Sequence, residues 1–570
     1  MSKKLFYIAF SIICLVAIIT RTLFFNQVPI GTYLDETAIL MDVRSVVETG
    51  YDVHGLPWYQ LIYPSYGDYK AAPYIWLATL SAQVFGINAF AIRLPSLLAG
   101  IFTVIVSGLI AKYLYQLFNP KSKDRLIRQK WQLGTMLVTA ISPWGIIFSH
   151  AAFEGHLAQF LLSLSILILV FTLQKNNLKI WQTVALLLIA SFLGGFATWT
   201  YFSVRFVWPV IILSILIVYL IVVYRQHLVK SLRRFFGYGI LLASIFIFML
   251  LTMLNSPFYE ASNQFRLNTD SVLNNPDLSN EVNLQREISG NTFLSRVIFT
   301  QTTATITNLA ENYSISLGLD FLFVGGDPNL RHGTGMHGLF LLALSPFLFI
   351  GLFKLAKNQL PILIILTTWW LIALLPASVP NDVPHALRSL NAFVPLTMII
   401  GYGIVSVFEF KAKLNKFILI GVVVAIFTNL IHFMYYYGVV YRYLSAPYWQ
   451  ANYTLLAEKI VYHKDRFNYV YISDFDGRFF VWHLASADFT PQQRAEREAE
   501  ISYIFYTAQL TNIKYRRHII LDTANMLFVS TDRSIEYALR TKDPELELVE
   551  VFRVENYGEV FLGVTLRNID

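Results

Sequence analysis

Two adjacent carboxylates near the N-terminus, Asp35 and Glu36, have side chains suited to acid–base chemistry. They follow the first long apolar run by about ten residues, and a segment with helical apolar periodicity, 37–49, comes directly after them. A carboxylate held at a dry boundary can serve as a general base toward a hydroxyl or an amine. A second interpretation stays open, in which Asp35 is an exposed loop residue or the N-cap of the following helix.

Basic residues open the next two apolar segments. Lys70 lies in the stretch 69–73, Tyr-Lys-Ala-Ala-Pro, and Arg93 lies in the stretch 93–96, Arg-Leu-Pro-Ser. A phosphate at the headgroup level of a membrane would account for cations at these positions. Snorkelling to the membrane surface, or ion pairs with nearby carboxylates, would also account for them.

Glu154 stands between two histidines, His150 and His156, where another apolar run begins. A charge at the start of a membrane span is costly unless it faces a cavity, so Glu154 either contacts substrate or belongs to a structural ion pair. Two imidazoles and a carboxylate are suitable metal ligands, but their spacing matches no strong motif. We therefore assign no metal ligand from the sequence, and a divalent metal stays an open alternative.

Two further polar stretches carry imidazole and guanidinium groups. The glycine-rich segment 325–333 contains His332, and the segment 384–388 contains His385 and Arg388. Either segment could simply separate two elements. Both could instead contribute cations to a binding site.

Composition indicates that membrane spans position these residues. Of the 570 residues, 55% are hydrophobic and 14% are charged, whereas about 25% of the residues of a soluble domain are charged. Apolar runs with lengths near that needed to cross a bilayer recur along the chain. The eleven predicted spans are 5–24, 94–117, 132–149, 155–173, 180–198, 205–224, 235–254, 338–353, 360–376, 391–408 and 417–437.

The charges of the connections predict the orientation of the chain. The connections 119–131 and 225–234 are basic, whereas 25–72 holds more acidic than basic residues. Basic connections mark the cytoplasmic side, which predicts a multi-pass protein of the cell membrane with a cytoplasmic N-terminus and an extracytoplasmic C-terminus. The net charge of +8 then reports orientation, and we expect no nucleic-acid partner. The single cysteine, Cys14, excludes an intramolecular disulfide.

Several segments are predicted to lie outside the bilayer. Residues 72–87 are short for a span, and counting them as one would reverse the charge pattern, so we expect an interfacial or re-entrant helix there. The apolar face of 37–49 predicts a second such helix. Residues 255–337 form a large outer loop, with a flexible stretch at 274–291 and a surface helix at 293–310.

The composition changes near residue 440, after which no run is long enough to span. We predict a transmembrane domain over 1–439, with a first outer loop at 25–93, and a small extracytoplasmic α/β domain over 440–570. The strand-like stretches of this domain are 469–472, 518–521, 526–529 and 559–564, and a helix is expected at 490–508.

With this topology, ionisable residues from separate connections fall on one membrane face. Structural charges would have no reason to share a face, so we predict an active site there. The residues are Asp35, Lys70, Arg93, Glu154, His332 and Arg388.

These motifs resemble those of membrane glycosyltransferases of the GT-C fold, in the group of protein O-mannosyltransferases and bacterial aminoarabinose transferases. An acidic residue or pair in the first outer loop marks that group, and Asp35 stands in its place. The Arg-Leu-Pro-Ser element is intact at 93–96, and a second acidic residue after the third span resembles Glu154. The group's Lys-Pro-Pro element resembles the stretch that begins at Lys70.

The chain departs from that pattern at two positions. The aminoarabinose transferases have a Glu beside the Lys that helps hold a metal, and Tyr69 stands there in this chain. Ala72 replaces the first proline of the Pro-Pro pair. These changes leave the expected fold intact and bear on the metal and the substrate.

The resemblance implies an inverting glycosyltransferase with a polyprenyl-phosphate-linked sugar donor and a lipid, glycan or protein acceptor, working among membrane lipids without a nucleotide. Asp35 would be the base, and Glu36 and Glu154 would support catalysis or bind the acceptor. The residues that would bind the donor phosphate are Lys70, Arg93, His332, His385 and Arg388.

Other functions are compatible with the same fold. The rivals are an oligosaccharyltransferase-like or polymerase-like member, a lipid-binding or transport protein, and a non-catalytic scaffold. A transporter would place charged residues or broken helices near the membrane midplane. The ionisable residues of this chain are instead predicted at one rim, which favours the enzyme.

Overall fold

The computed structural model describes residues 2–65, 68–120, 125–175, 177–223, 228–274, 276–409 and 416–453. Beyond residue 453 it describes shorter pieces, namely 455–456, 459, 469–472, 526–530, 537, 539–542, 546–552 and 561–566.

Helices make up most of the described chain. The elements up to residue 200 are α1 (Lys3–Thr22), α2 (Leu34–Thr49), β1 (Ile62–Ser65), β2 (Asp68–Ala71), α3 (Ala72–Phe85), α4 (Ala89–Phe118), α5 (Arg125–Ile141), α6 (Pro143–Ser149), α7 (Glu154–Gln174) and α8 (Ile180–Thr200). The following helices are α9 (Val204–Val223), α10 (Leu228–Leu254), α11 (Tyr259–Asp270), α12 (Pro276–Ile288), α13 (Phe293–Ile298), α14 (Gln301–Leu317), α15 (Ser345–Asn358), α16 (Leu360–Ser378), α17 (Phe393–Glu409), α18 (Lys416–Tyr435) and α19 (Arg442–Leu444). The remaining strands are β3 (Tyr469–Ile472), β4 (Met526–Ser530), β5 (Leu546–Phe552) and β6 (Phe561–Leu566).

The described helices include nine that are long and apolar enough to cross a membrane, and up to ten if α5 and α6 together form one bent span. The sequence predicted eleven. The run 132–149, predicted as one span, corresponds to the bent pair α5 and α6. The other difference is the run at 338–353, because the helix found there, α15, has only 14 residues. At 1.5 Å per residue it is about 21 Å long, whereas the hydrocarbon core is about 30 Å thick.

A bend of 56° separates α5 from α6 at Ser142 and Pro143. Proline disfavours helical backbone in the residue before it and cannot donate an N–H, so α5 ends and α6 begins with Pro143 at its first position. Polar groups at the break form hydrogen bonds outside the two helices. The Ser142 hydroxyl and the Trp144 N–H both donate to the carbonyl of Leu339, at 2.8 and 3.0 Å. The bend therefore fixes the path of the chain into α7, which begins at Glu154.

One compact unit comprises Met1–Phe24, Leu61–Tyr74 and Arg93–Tyr435. In it α7 packs on α8, α8 on α10, α5 on α17, and α15 on α17. The buried guanidinium of Arg21 joins α1 to α5 by donating to the carbonyls of Thr139 and Ala140, at 2.8 and 3.0 Å. These carbonyls lie in the last turn of α5, where unpaired carbonyls and the helix dipole both favour a cation.

The long segment after α10 is more ordered than the sequence indicated. The stretch 274–291, predicted to be flexible, contains the helix α12, so that prediction was wrong. The surface helix predicted at 293–310 is two helices, α13 and α14. Near the end of α14, the Asn312 side chain donates to the carbonyl of Ser378 at 3.0 Å and so holds α14 against α16.

The second unit comprises Phe25–Gln60, Ile75–Ile92 and Tyr436–Asp570. It contains a four-stranded sheet in the order β3-β4-β6-β5, in which β3 and β4 are parallel and the other pairs are antiparallel. The sequence predicted β3, β4 and β6 but missed β5. The predicted helix 490–508 and strand 518–521 lie outside the described residues.

The two helices predicted to lie along the membrane surface are both present as short helices. In the first, α2, all residues from Glu36 to Val43 are buried, so the helix has no solvent-exposed polar face over this stretch. The second, α3, has 14 residues and is too short to cross a bilayer. The expectation of a one-sided apolar face on α2 was therefore wrong.

Candidate active site

The acidic pair occupies the first turn of α2. The helix begins at Leu34 after Tyr33, whose ring packs edge-on against Trp449 at 5.0 Å, and the Leu34 N–H donates to the side chain of Gln450 at 2.8 Å. Asp35 is half-buried and Glu36 is fully buried. Asp35 is thus the second residue of the helix rather than its N-cap, and a carboxylate there interacts favourably with the helix dipole.

Lys70 lies in the antiparallel hairpin of β1 and β2, where it pairs with Tyr63. Its side chain is only 6% exposed, and its ammonium donates to Asp68 at 2.8 Å. A structural ion pair with a nearby carboxylate was one of the interpretations of Lys70, and the contact with Asp68 is such a pair. The same side chain also lines a cavity.

This cavity has a volume of about 100 Å³, whereas about 10–15 Å³ suffices for one water molecule. It could therefore hold several waters, a phosphate or a small polar group. Its charged lining residues are the cations Lys70, Arg205 and Arg266 and the carboxylates Asp68 and Glu154. We refer to it as the cationic cavity. Two predicted site residues, Lys70 and Glu154, meet here from distant parts of the chain.

Arg205 enters the cavity from the first turn of α9. Its guanidinium lies 4.0 Å from the ring centre of Phe202 and donates to the Tyr259 hydroxyl at 3.2 Å. Arg266 of α11 lies 5.8 Å from the same Phe202 ring. Stacking on an aromatic face restrains a guanidinium while leaving its edge able to bind an anion.

Arg205 and Arg266 were not among the predicted site residues, although the sequence contains a signal for both. Both are cations on the face predicted to be extracytoplasmic, where basic residues are disfavoured by orientation. That argument singled out Lys70 and Arg93 and applies equally to these two residues.

Tyr201 also lines the cavity, directly after α8. Burial raises the pKa of its hydroxyl, while Arg388 and Arg266 oppose the rise and Glu154 adds to it. The Tyr201 hydroxyl therefore interacts electrostatically with charged residues of the cavity and with Arg388 of the segment 384–388. A close approach at Gly155 brings these regions together, because a Cβ there would lie 2.7 Å from Leu387 and 3.5 Å from the Tyr201 ring.

Arg93, near the start of α4, is buried and is not part of the cavity wall. The motif around it has a structural role that is visible at Ser96. The Ser96 hydroxyl shares a hydrogen bond of 3.0 Å with Tyr74 and lies 3.4 Å from the carbonyl of Phe153. The Ser96 hydroxyl therefore connects α3 and α4 to Phe153, the residue before Glu154.

The two histidines predicted to bind phosphate lie together, beside an aspartate that was not selected. The rings of His332 and His385 have centres 4.4 Å apart, and His332 Nδ1 lies 3.7 Å from Asp327 Oδ2. All three side chains are at least 90% buried. None of the three lines the cationic cavity.

Arg388 follows three residues after His385 and is half-buried. Its backbone N–H faces His385 Nδ1 at 3.4 Å. Burial raises the pKa of Asp327 to about 7, while N–H donors from Ala386 and Asn329 and the charge of Arg388 act to lower it. Burial also holds the pKa of His385 well below its ordinary value, and His332 and Arg388 lower it further.

His150 and His156, weighed in the sequence as metal ligands with Glu154, are both fully buried. Within the described part of the chain, one group of possible metal ligands has its ligand atoms within 4.8 Å of one another, and neither of these histidines belongs to it. That group consists of Asp327, His332 and His385.

Comparison with solved structures identifies the architecture as that of the GT-C membrane glycosyltransferases, which confirms the fold that the motifs resembled. Nearly the whole chain takes part in this similarity.

Among these neighbours is ArnT from Cupriavidus metallidurans bound to undecaprenyl phosphate, with a TM-score of 0.52, 11% identity, and coverage of 99% of this chain and 98% of that one. The apo state of ArnT gives a TM-score of 0.50 at 12% identity, covering 98% and 97% of the two chains. The oligosaccharyltransferase AglB from Archaeoglobus fulgidus, in complex with an inhibitory peptide and a dolichol-phosphate, gives a TM-score of 0.51 at 13% identity, covering 94% and 70%. No protein-family model and no curated protein matches the chain.

Proposed function

We propose that this protein is an inverting glycosyltransferase that moves a sugar from a polyprenyl-phosphate donor to an acceptor at the extracytoplasmic face of the membrane. The observation that carries the proposal is the cationic cavity, which combines three cations with the carboxylates of Asp68 and Glu154. Such a cavity suits a group that is anionic at one end and polar at the other. The neighbours that contain undecaprenyl phosphate and dolichol-phosphate support a lipid phosphate as that group.

The cations would act on the phosphate, which is the leaving group. Negative charge grows on the phosphate oxygen as the glycosidic bond breaks, and fixed cations in a dry site stabilise that charge most in the transition state. Lys70, Arg205 and Arg266 line the cavity, and Arg388 lies within electrostatic reach of Tyr201 in its wall. We assign these four residues to binding of the donor phosphate. Arg93 does not line the cavity, and we assign it a supporting role.

Asp35 is the proposed general base. It would accept the proton of the acceptor hydroxyl or amine while the acceptor atom bonds to the anomeric carbon. The bond from that carbon to the phosphate oxygen breaks, and its electron pair leaves with polyprenyl phosphate. A single displacement from the face opposite the phosphate inverts the anomeric carbon. The half-buried position of Asp35 in the first turn of α2 suits a base that meets an acceptor, and the buried Glu36 suits a supporting role.

We assign Glu154 to the sugar or the acceptor, because it lines the cavity and the other carboxylate there, Asp68, already accepts a hydrogen bond from Lys70. The acceptor class is a lipid, a glycan or a protein. Carboxylates commonly bind sugar hydroxyls, and charge-assisted hydrogen bonds of this kind are the strong ones.

Turnover by the purified protein in lipid nanodiscs tests the proposal. A panel of polyprenyl-phosphate sugars would be offered with mixed membrane-lipid, glycan and peptide acceptors, and release of polyprenyl phosphate would be followed for wild type and Asp35→Asn. The matched control is Glu48→Gln, which alters an exposed carboxylate at the other end of α2.

We expect release by wild type and by Glu48→Gln and a loss of about 10²–10⁴-fold in Asp35→Asn, the usual contribution of a general base. Equal release by Asp35→Asn would move the base to Glu36 or Glu154. If wild type binds the donor lipids yet releases none with any acceptor, a lipid-binding or transport protein becomes the better description.

A further inference from the structure

The buried group formed by Asp327, His332 and His385 has the chemistry of a metal site. Each residue offers one ligand atom, and the three atoms lie within 4.8 Å of one another. Ligand bonds of about 2.0–2.2 Å place the ligands of one zinc ion roughly 3–4 Å apart. The 3.7 Å between His332 Nδ1 and Asp327 Oδ2 already falls within that range.

The surrounding chain positions the ligands before any ion binds. Asp327 accepts the N–H of Asn329 at 2.8 Å on one oxygen and the N–H of Ala386 at 2.7 Å on the other. The tight loop needs glycine at 333, where a Cβ would lie 2.5 Å from the carbonyl of Asp327. The ring of His332 stacks on Phe148 with ring centres 6.2 Å apart.

The carboxylate of Asp327 favours a cation over an anion as the group that the two histidines bind. A phosphate bound to His332 and His385 would lie beside the oxygens of Asp327, which accept the N–H groups of Asn329 and Ala386 and offer the phosphate no hydrogen bond. A divalent cation is attracted by the same oxygens, and neutral imidazoles are good ligands for it. Both histidines were predicted from the sequence to bind the donor phosphate, but their position beside Asp327 favours a cation.

We propose that Asp327, His332 and His385 bind a divalent transition metal, with zinc the best match for two imidazoles and one carboxylate. Three protein ligands leave a fourth position of a tetrahedral site open. Other divalent metals accept the same ligands, and selectivity among them is set by geometry and supply. The ion would join the segment 325–333 to the segment 384–388 and so fix the start of the turn that carries Arg388. This proposal does not depend on the glycosyltransferase activity.

The test is metal binding by the full-length protein in nanodiscs, with any affinity tag removed and endogenous metal extracted by a chelator. Zinc would be titrated into wild type, His385→Ala, Asp327→Asn and the control His54→Ala, in which an exposed histidine is lost. Bound zinc would be counted by elemental analysis after desalting. We expect about one zinc per chain in wild type and in His54→Ala, and affinity at least tenfold lower in the two site variants.

A measurement on wild type alone covers the case in which the variants do not fold. X-ray absorption of the zinc-loaded protein should show two imidazoles and oxygen ligands, with no sulfur. Wild type that retains no zinc, a spectrum without two imidazoles, or folded site variants that bind zinc as tightly as wild type would each overturn the proposal. None of these readouts requires a sugar donor, so they remain informative whatever the outcome of the turnover assay.

Discussion

Lys70 has two environments at once, since it pairs with Asp68 at 2.8 Å and lines the cationic cavity. If its function is to bind the donor phosphate, Lys70→Met should lower kcat/KM by about 10²–10³-fold, as does the loss of one donor to a developing oxyanion. Lys70→Arg should retain part of the activity. The control Lys357→Met removes an exposed lysine of α15 and should have no effect.

The structural interpretation of Lys70 makes a different prediction. If the ion pair with Asp68 were its whole role, Asp68→Asn and Lys70→Met would lower thermal stability to a similar extent. Both variants would then keep the kcat/KM of wild type when assayed well below the melting temperature. Measuring stability and kinetics on both variants separates the two roles.

Arg205 provides a second prediction at the level of single residues. Its guanidinium is stacked on Phe202 and bonded to Tyr259, so its orientation is fixed before a ligand binds. We expect Arg205→Gln to weaken the binding of undecaprenyl phosphate to nanodisc-embedded protein by about tenfold or more, corresponding to about 1.4 kcal/mol. Arg205→Lys should recover little of this loss, because an ammonium cannot reproduce the stacked fork. Unchanged affinity in both variants would remove Arg205 from the phosphate site.

The residues of the site differ in how far the sequence could predict them. Lys70 and Glu154 were predicted from their charge at the ends of apolar runs. Arg205 and Arg266 carry the same signal, but their meeting with Lys70 depends on how α9, α11 and the β1–β2 hairpin pack. Nothing in the sequence distinguishes Asp327, because an Asp in a glycine-rich loop is common in turns. Only the fold shows that it is buried beside two histidines.

At the scale of elements, a pair of histidines links the loop after residue 334 to α18. His337 Nε2 and His432 Nδ1 are 2.9 Å apart, and the Thr334 hydroxyl lies 3.2 Å from His337 Nδ1. Burial, with a smaller effect of His432, lowers the pKa of His337 to about 4. The ordinary pKa of histidine is about 6.5, so the unfolded chain takes up a proton here at a higher pH than the folded chain does.

The sign of the pH dependence follows from this difference. A folded-state pKa below the unfolded value means that stability is full above about pH 6.5 and falls as the pH drops toward 4, by roughly 1 kcal/mol per pH unit at most. Melting temperatures of wild type should therefore fall between pH 7 and pH 5. The difference between wild type and His337→Gln isolates this residue from other titrating groups, including Asp327. A variant with the same slope as wild type would contradict the assignment.

The elements themselves show what periodicity and length can establish. Long apolar helices such as α4 and α7 were predicted close to their observed bounds, because a bilayer demands about twenty apolar residues. The run at 338–353 has the required composition, yet its helix begins only at Ser345, where Pro346 suits a first helical turn. The stretch 276–288 is polar without a clear period, so its helix could not be distinguished from a flexible loop.

At the scale of the whole molecule, the chain has the fold of the GT-C membrane glycosyltransferases, while its orientation in the membrane is a prediction from the charges of its connections. Positive-inside bias is informative here because the basic connections are short. It predicts that the segment containing α12 is extracytoplasmic and that the connection before α5 is cytoplasmic. The chain offers a clean test, since its one cysteine, Cys14, can be replaced by serine to give a cysteine-free background.

Two single-cysteine variants in that background would report opposite sides of the membrane. Asn280 lies on the exposed surface of α12, and Arg125 is exposed at the start of α5. In intact cells, a membrane-impermeant maleimide should label Asn280→Cys and should label Arg125→Cys only after permeabilisation. The reverse pattern would place the β1–β2 hairpin and its cavity on the cytoplasmic side. A polyprenyl-phosphate sugar presented outside could not then reach Lys70, so the proposed reaction would need a donor and an acceptor on the inner face.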